Sequence, residues 1–374
     1  MTTDDRLEPD WKARYQALKA RLTSFCDALG FRNALGEARA ALAAASEQEA
    51  ALRTRLAKLE AKLNLYKRIL PRPEVVTALL PERAAAFRQS PPEDAALARE
   101  AAFAQESTAY ATAQQVGAPP GADHVEIAGL SWWVPRDDRR GGGLADRVVA
   151  GKWLPIADIL RTREAIANGV MLDIGANIGL TSVTRVVAGD MDLVYAAEPA
   201  PDNYVCLVKN VIENGLRGVV MPDCLAISDQ DGSGPFLLSG SIGGHALSNA
   251  GTVEVATRRL DTWISELHIP AASIRYVKVD TQGRESHVLA GAGALLERSG
   301  VVWELEFSPR HLRRAQRKPQ DLIAQMQSSF SHFIDLNPEA PGRRLRPIGE
   351  LAEGLVYLQE SFTNLLAYRS SATS

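Results

Sequence analysis

The sequence predicts an α/β protein: a doubly wound, mostly parallel sheet preceded by an α-helical coiled-coil region. Three observations predict it. Val170-Met-Leu-Asp-Ile174 is the apolar run of a central parallel strand, and it passes through Gly175 and Gly179 into a helix start. Strand-like segments at 170–174, 192–197, 219–226, 275–280 and 301–307 are separated mostly by helix-like stretches, the order that crossover helices impose on a parallel sheet. The first seventy or so residues carry apolar seams at heptad spacing instead.

Taken in order, the first seam is Trp11, Tyr15, Leu18, Leu22, Phe25 and Leu29, which Gly30 interrupts. After an alanine-rich stretch from Leu35 the seam resumes at Leu52, Leu56, Leu59, Leu63, Tyr66 and Leu70, in a shifted register. Pro71 and Pro73 then stop the second helix. Neither helix buries its stripe alone, so residues 1–73 are expected to form an antiparallel hairpin or to pair with another subunit, making a homo-oligomer or holding a partner protein. The plainer alternative is a helical cap on the catalytic domain. Residues 74–121, rich in alanine, proline and glutamate and broken at Pro91-Pro92 and Pro119-Pro120-Gly121, read as a helical linker.

Residues 122–374 are left for the catalytic domain. Val125 to Val134 alternates and predicts a first strand, Arg139-Arg-Gly-Gly-Gly143 a flexible loop, and Ala157 to Ala167 a helix. The chain has 374 residues, more than one compact core usually spans, so two regions of unequal kind are the expectation.

Composition narrows the function. A hydrophobic fraction of 46%, a charged fraction of 23% and a net charge of −3 give no field for nucleic acid or anionic lipid. Cys26, Cys206 and Cys224 are too widely spaced for a zinc knuckle or a disulfide framework and read as free thiols. The start Met-Thr-Thr-Asp-Asp-Arg is not a secretory signal, and no apolar run approaches the roughly 20 residues of a membrane span, so a cytoplasmic protein without an integral membrane segment is expected.

The chemistry concentrates at the first turn. Its pattern, Asp173-x-Gly175-x-x-x-Gly179, differs from the Gly-x-Gly-x-x-Gly of dinucleotide folds. A carboxylate two residues before the first glycine suits a ligand with positive charge better than a pyrophosphate; S-adenosylmethionine is such a ligand. A second apolar strand, Leu193-Val-Tyr-Ala-Ala197, ends in Glu198, 25 residues past Asp173. An acid there accepts hydrogen bonds from vicinal ribose hydroxyls, and dehydrogenases place theirs at about 20 residues, so this spacing alone leaves an NAD(P)-dependent oxidoreductase open.

Further stretches follow in a fixed order: Glu198-Pro-Ala-Pro-Asp-Asn203, Ala226-Ile-Ser-Asp229 with Gly232, Leu260-Asp-Thr-Trp263, Lys278-Val-Asp280-Thr-Gln-Gly283-Arg-Glu285 with Leu289 and Gly291, and Asn364-Leu-Leu-Ala367. With Asp173 to Gly179 they resemble the FkbM-type methyltransferases over about residues 122 to 370. The resemblance implies a Rossmann-like class I domain with an antiparallel strand near its end. It also implies an S-adenosylmethionine-dependent O-methyltransferase acting on hydroxyls of sugars, glycans, glycolipid intermediates or secondary metabolites. Asp173, Gly175, Ala176, Asn177 and Gly179 would then line the methionine part of the cofactor and Glu198 the ribose. Asn203 would brace the loop after the second strand, and Asp223 to Ile227, with Ala226, would flank adenine. Relatives usually carry glutamate where this chain has Gln282, which keeps hydrogen bonding and loses charge.

Methyl transfer is an in-line displacement, so the acceptor end of the pocket must hold a hydroxyl and take its proton. Lys278 and Asp280, at the carboxyl end of a strand, are the first candidates, with Asp280 as base or as the group that orients one. His245 lies in the glycine-rich loop 239–249, where a lid can form. Glu304 and Glu306 alternate within Val301 to Phe307, and Glu306 is a candidate substrate contact. No spacing demands a metal. The run Arg310, His311, Arg313, Arg314, Arg317 and Lys318 suits an acidic acceptor or is simply a solvated helix face. A catalytically decayed scaffold working through its coiled coil is the remaining alternative, and the retained Asp173, Glu198 and Asp280 argue against it.

Overall fold

A computed structural model describes residues 93–127, 130–136, 144–149, 162, 166, 169–187, 190–240, 243–337, 340 and 345–370. The coiled coil expected over 1–73 lies outside the described residues. So do the loop expected at 139–143 and most of the helix expected at 157–167.

Eight strands form the main sheet, in the order β13-β12-β14-β11-β10-β3-β4-β5. These are β3 Val170–Ile174, β4 Leu193–Ala197, β5 Val220–Asp223, β10 Ile274–Val279, β11 Val302–Phe307, β12 His332–Asp335, β13 Arg346–Pro347 and β14 Thr363–Tyr368. From β11 to β5 all neighbours are parallel, and every residue of β3 and β11 is buried, which explains why β3 is apolar apart from Asp173 and makes the buried Glu304 and Glu306 of β11 conspicuous. Strand β14 enters antiparallel between β11 and β12, as the resemblance implied.

Side chains alternate across this sheet. On one face Val170, Leu172 and Ile174 join Val277, Trp303 and Leu305; on the other Met171 joins Tyr276, Val302 and Leu366. The second face carries helices α4 Leu180–Val187 and α5 Pro201–Glu213 together with a hairpin, β1 Ala122–Ile127 and β2 Leu130–Pro135. The single strand expected over 125–134 is therefore two antiparallel strands. The hairpin is tied to α5 by its asparagines: Asn210 accepts from the Trp133 amide at 2.6 Å and Asn214 from the Ser131 amide at 3.0 Å.

Helices α1 Glu93–Glu106 and α2 Thr108–Gln115, from the stretch read as a linker, dock on the domain through Phe103 and Tyr110, which pack with Tyr204, Val208 and Met221.

The apolar run 219–226 also divides: β5 ends at Asp223, and β6 Ala226–Ser228 starts a second sheet of order β6-β9-β7-β8, with β7 Gly232–Leu237, β8 Ala246–Leu247 and β9 Val253–Arg259. The loop expected to be a flexible lid around His245 thus contains a short strand, β8, paired with β7. Helix α6 Leu260–Glu266 follows β9, α7 Glu285–Ala290 follows β10, and α9 Pro309–Arg314 follows β11, with α8 Gly293–Leu296 between the last two strands. Among the described residues no helix is long and apolar enough to cross a membrane.

Candidate active site

A cavity of about 850 Å³ opens at the carboxyl ends of β3, β4, β10 and β11, the edge where doubly wound sheets bind their ligands. One end is formed by the turn after β3, by Glu198 and by the apolar wall Leu225, Ala226 and Ile227; the other by Lys278, Asp280, Glu304, Glu306, His311 and Asn364.

The turn owes its shape to Gly175, which sits at φ +80°, where a Cβ would lie 2.0 Å from the Asp280 carbonyl oxygen. Asn177 at φ 55° completes it, a left-handed position that asparagine tolerates better than most residues. Its amide donates to Glu198 Oε2 at 2.7 Å, while the Ala200 amide donates to Oε1 at 2.9 Å and the Asn203 side chain donates to the same carboxylate. Asn203 thus braces Glu198 from behind. Glu198 is buried, and that desolvation outweighs its donors and lifts its pKa to about 7. Three donors leave this carboxylate acceptor capacity for a hydroxyl on the cavity side.

Gly175, Ala176, Asn177, Glu198, Ala226 and Ile227 line the cavity; four other residues expected there do not. Asp173 is fully buried beneath the turn, accepting from Ser182 Oγ at 2.6 Å and lying 3.8 Å from Lys278 Nζ. Side-chain alternation puts it on the α4 face of β3, beside Lys278, so its charge acts on Lys278 from below the cavity. Gly179 packs against Leu207 of α5, Asn203 sits behind Glu198, and Asp223 accepts from Trp263 Nε1 at 2.9 Å, turned away from the cavity. The wall at that end is the apolar Leu225 to Ile227.

The other end is built by strand register. Lys278 pairs with Asp173 on one side and Glu304 on the other, and Glu306 pairs with Asn364, which sets these polar side chains side by side on one face of the sheet. Lys278 Nζ lies 3.4 Å from Asp280 Oδ2. Burial opposes its charge, but Asp280, Asp173, Glu304 and Glu306 outweigh it and raise its pKa, so Lys278 is a fixed cation and not a proton acceptor. Gln282 Nε2 donates to Asp280 Oδ1 at 2.7 Å, so hydrogen bonding is kept at the position where relatives carry glutamate.

Deeper, Arg185 of α4 is buried against Asp190 at 3.2 Å and Glu304 at 3.7 Å, its guanidinium 4.9 Å over the Tyr276 ring, and the Tyr276 hydroxyl donates to Glu304. Glu304 is thus an anchor for this network. Glu306 behaves differently. It is buried, desolvation and Asp280 lift its pKa to about 7, and its Oε2 lies 3.0 Å from His311 Nδ1. Among the basic residues that follow β11, Arg310 and His311 reach the cavity; Arg313 pairs with Glu360 and Arg317 touches His287. His245 lines the opposite wall, with Nδ1 accepting from the Ser239 amide at 2.9 Å.

Sequence reasoning reached His311 only as one member of a basic run, because a histidine among arginines reads as solvated surface. Its position five residues after Glu306, across a Ser-Pro helix start, is the signal available in retrospect.

The cavity fits S-adenosylmethionine on two structural grounds: a glycine turn with no room for a β-carbon beside Asp280, and a buried carboxylate in the same cavity as the apolar wall Leu225, Ala226 and Ile227. Among the described residues no group of three or more His, Cys, Asp or Glu is placed to hold a metal ion.

Comparison with known proteins agrees in kind. No curated protein matches the chain. Among solved structures it is similar to a methyltransferase FkbM from Methylobacillus flagellatus KT, 15% identical over 57% of this chain and 54% of that one, with a TM-score of 0.35. It is also similar to M. jannaschii TYW2 in complex with AdoMet, 13% identical over 68% and 89%, TM-score 0.34, and to the M. jannaschii tRNA m1G37 methyltransferase, 11% identical over 68% and 59%, TM-score 0.33. The chain spans little more than half the length of the first of these. Residues 173–335 match the family model for the methyltransferase FkbM domain, which holds the glycine turn, Glu198, Lys278, Asp280 and Glu306 in one module. Over that stretch the chain is similar to the FkbM methyltransferases.

Proposed function

We propose that the protein is an S-adenosylmethionine-dependent O-methyltransferase whose acceptor is a hydroxyl of a sugar, glycan or glycolipid intermediate. The observation that carries this reading is a single cavity with a cradle for an adenosine at one end, Gly175, Asn177 and Glu198, and a proton-accepting, hydrogen-bonding end at the other, Asp280, Glu306 and Asn364. The donor would be held by the turn amides, Glu198 and the wall from Leu225 to Ile227, and it supplies an electrophilic methyl carbon. Lys278 and Asp280 fix the charge of the acceptor end, and Gln282 holds Asp280 in place. Glu306 offers an acid near neutrality, and Asn337, Asn364 and Glu360 offer hydrogen-bond partners to a polyol, with Phe362, 55% exposed at the rim, available to stack on a sugar ring.

The family match favours this over the oxidoreductase reading, and the retained acceptor-end groups favour it over a decayed scaffold. We also propose that the heptad seams of 1–73 join copies of the chain or a partner protein.

Calorimetry with S-adenosylmethionine tests the donor: micromolar binding is expected, with a loss of at least about tenfold in Glu198→Ala, the worth of one hydrogen bond to a charged group. No heat of binding overturns the reading. Methyl-labelled donor incubated with extracts of the source cells, followed by mass spectrometry of labelled products, identifies the acceptor. Label on nitrogen or carbon in place of oxygen overturns the O-transfer part. Light scattering of the full chain and of residues 122–374 tests assembly: two monomers overturn it.

A further inference from the structure

Helix α9 is pinned where it enters the cavity. Ser308 caps it, its Oγ accepting from the His311 amide at 3.3 Å, with Pro309 in the first turn. On the other side the His311 carbonyl lies 2.5 Å from where a Cβ on Gly283 would be, and Gly283 takes φ +98°, so the turn after β10 closes directly on this residue. The His311 backbone is therefore held by both neighbouring strand ends.

Its ring is held as well. Glu306 is buried at the end of β11 and paired in register with Asn364, so its carboxylate has little freedom, and Oε2 meets His311 Nδ1 at 3.0 Å. In its ionised form this carboxylate accepts and does not donate, which selects the tautomer with hydrogen on Nδ1 and the lone pair on Nε2. The ring lines the cavity with its side chain 27% exposed, and no hydrogen bond joins Nε2 to a described residue. The competing groups are committed elsewhere: Asp280 to Gln282 and Lys278, Lys278 to its carboxylates, Glu304 to Arg185 and Tyr276.

We infer that His311 is the proton acceptor of the transfer and Glu306 the residue that positions it; this rests on the O-methyltransferase reading above. The acceptor oxygen forms the new O–C bond with a lone pair, the C–S bond of the sulfonium donor breaks with its electrons remaining on sulfur, and the hydroxyl proton passes to Nε2. The positive charge of the donor is thereby replaced by that of an imidazolium facing a carboxylate.

The charged groups facing the pair are Lys278 from β10, Asp280 just after it and Glu285 from α7. Glu306 raises the His311 pKa above its ordinary value against the effect of burial, so the neutral, proton-accepting ring gains population as pH rises through the joint titration of the pair.

Two measurements test this. In the ligand-free protein, nitrogen NMR of labelled histidine is expected to show His311 with hydrogen on Nδ1 and a titration above that of a free histidine, falling by at least about one pH unit in Glu306→Gln. Hydrogen on Nε2, or a titration that Glu306→Gln does not move, overturns the dyad. In the second, methyl-labelled S-adenosylmethionine and source-cell extract serve as probes. His311→Asn is expected to lower the initial rate by about 10² or more, the usual share of a general base, with donor affinity within twofold. Glu306→Gln is expected to move the acidic limb of the rate profile to lower pH, which a merely structural role would not do. Full transfer by His311→Asn overturns the proton-acceptor role alone, whereas no donor binding by the unsubstituted chain sinks the methyl-transfer reading and leaves the NMR result to decide the dyad.

Discussion

The carbonyl oxygen of Asp280 occupies the place where Gly175 would carry a side chain, 2.0 Å from that position. The donor cradle and the acceptor end therefore touch through bare backbone, and a methyl group at 175 must push them apart. Gly175→Ala combines this clash with φ +80° and is expected to lower stability by about 2–4 kcal/mol and to abolish donor binding. Urea denaturation and calorimetry check both effects; a variant that still binds donor would show that the turn can move aside.

The buried cation Arg185 is expected to matter for folding. Arg185→Met leaves Asp190 and Glu304 in a dry interior without their positive partner, and a loss of about 3–5 kcal/mol is expected in chemical denaturation. A change below about 1 kcal/mol would mean that water reaches this network.

Stability should depend on pH through Glu198. Its folded pKa of about 7 lies above the ordinary 4.5, so between these values the folded protein holds the proton more tightly than the unfolded chain. The protonated group's contribution is complete below about pH 4.5 and is lost as pH rises through 7, a change on the order of 3 kcal/mol. Melting temperatures of the ligand-free protein measured from pH 5 to 8 should therefore fall, with a shallower fall in Glu198→Ala. An unchanged slope in that variant would assign the effect to other buried carboxyls.

Gln282→Glu would set a second carboxylate where the amide now donates to Asp280 at 2.7 Å. Repulsion should lower stability by about 1 kcal/mol at pH 8 and hardly at all at pH 5, where a proton relieves it. Paired thermal melts at the two pH values read this directly.

Much of the catalytic half was legible because its physics is local. Buried parallel strands are largely apolar, which marks β3 and β4 and one face of β10 and β11, and the Gly175 turn announces a close backbone approach. What escaped depends on neighbours distant in sequence. Nothing in the run 219–226 tells that Ala226 leaves the main sheet for another, and alternation from Val125 to Val134 reads through a hairpin. That the pleat of β3 sets Asp173 beneath the turn, against Ser182 and Lys278, depends on partners far along the chain. Arg185 and His311 look like surface charges, and only the facing strands show one buried in an ion-pair network and the other held by Glu306.

Strand β14 sits between two strands that precede it in the chain. Strands β3, β4 and β5 pair in chain order, whereas β11 and β12 stay separated until residues 363–368 slot between them. Formation of the β3-to-β5 edge and shaping of the opposite wall are thus expected to be separable events in folding. Agents that loosen this last insertion should blunt turnover while the adenosine side still forms.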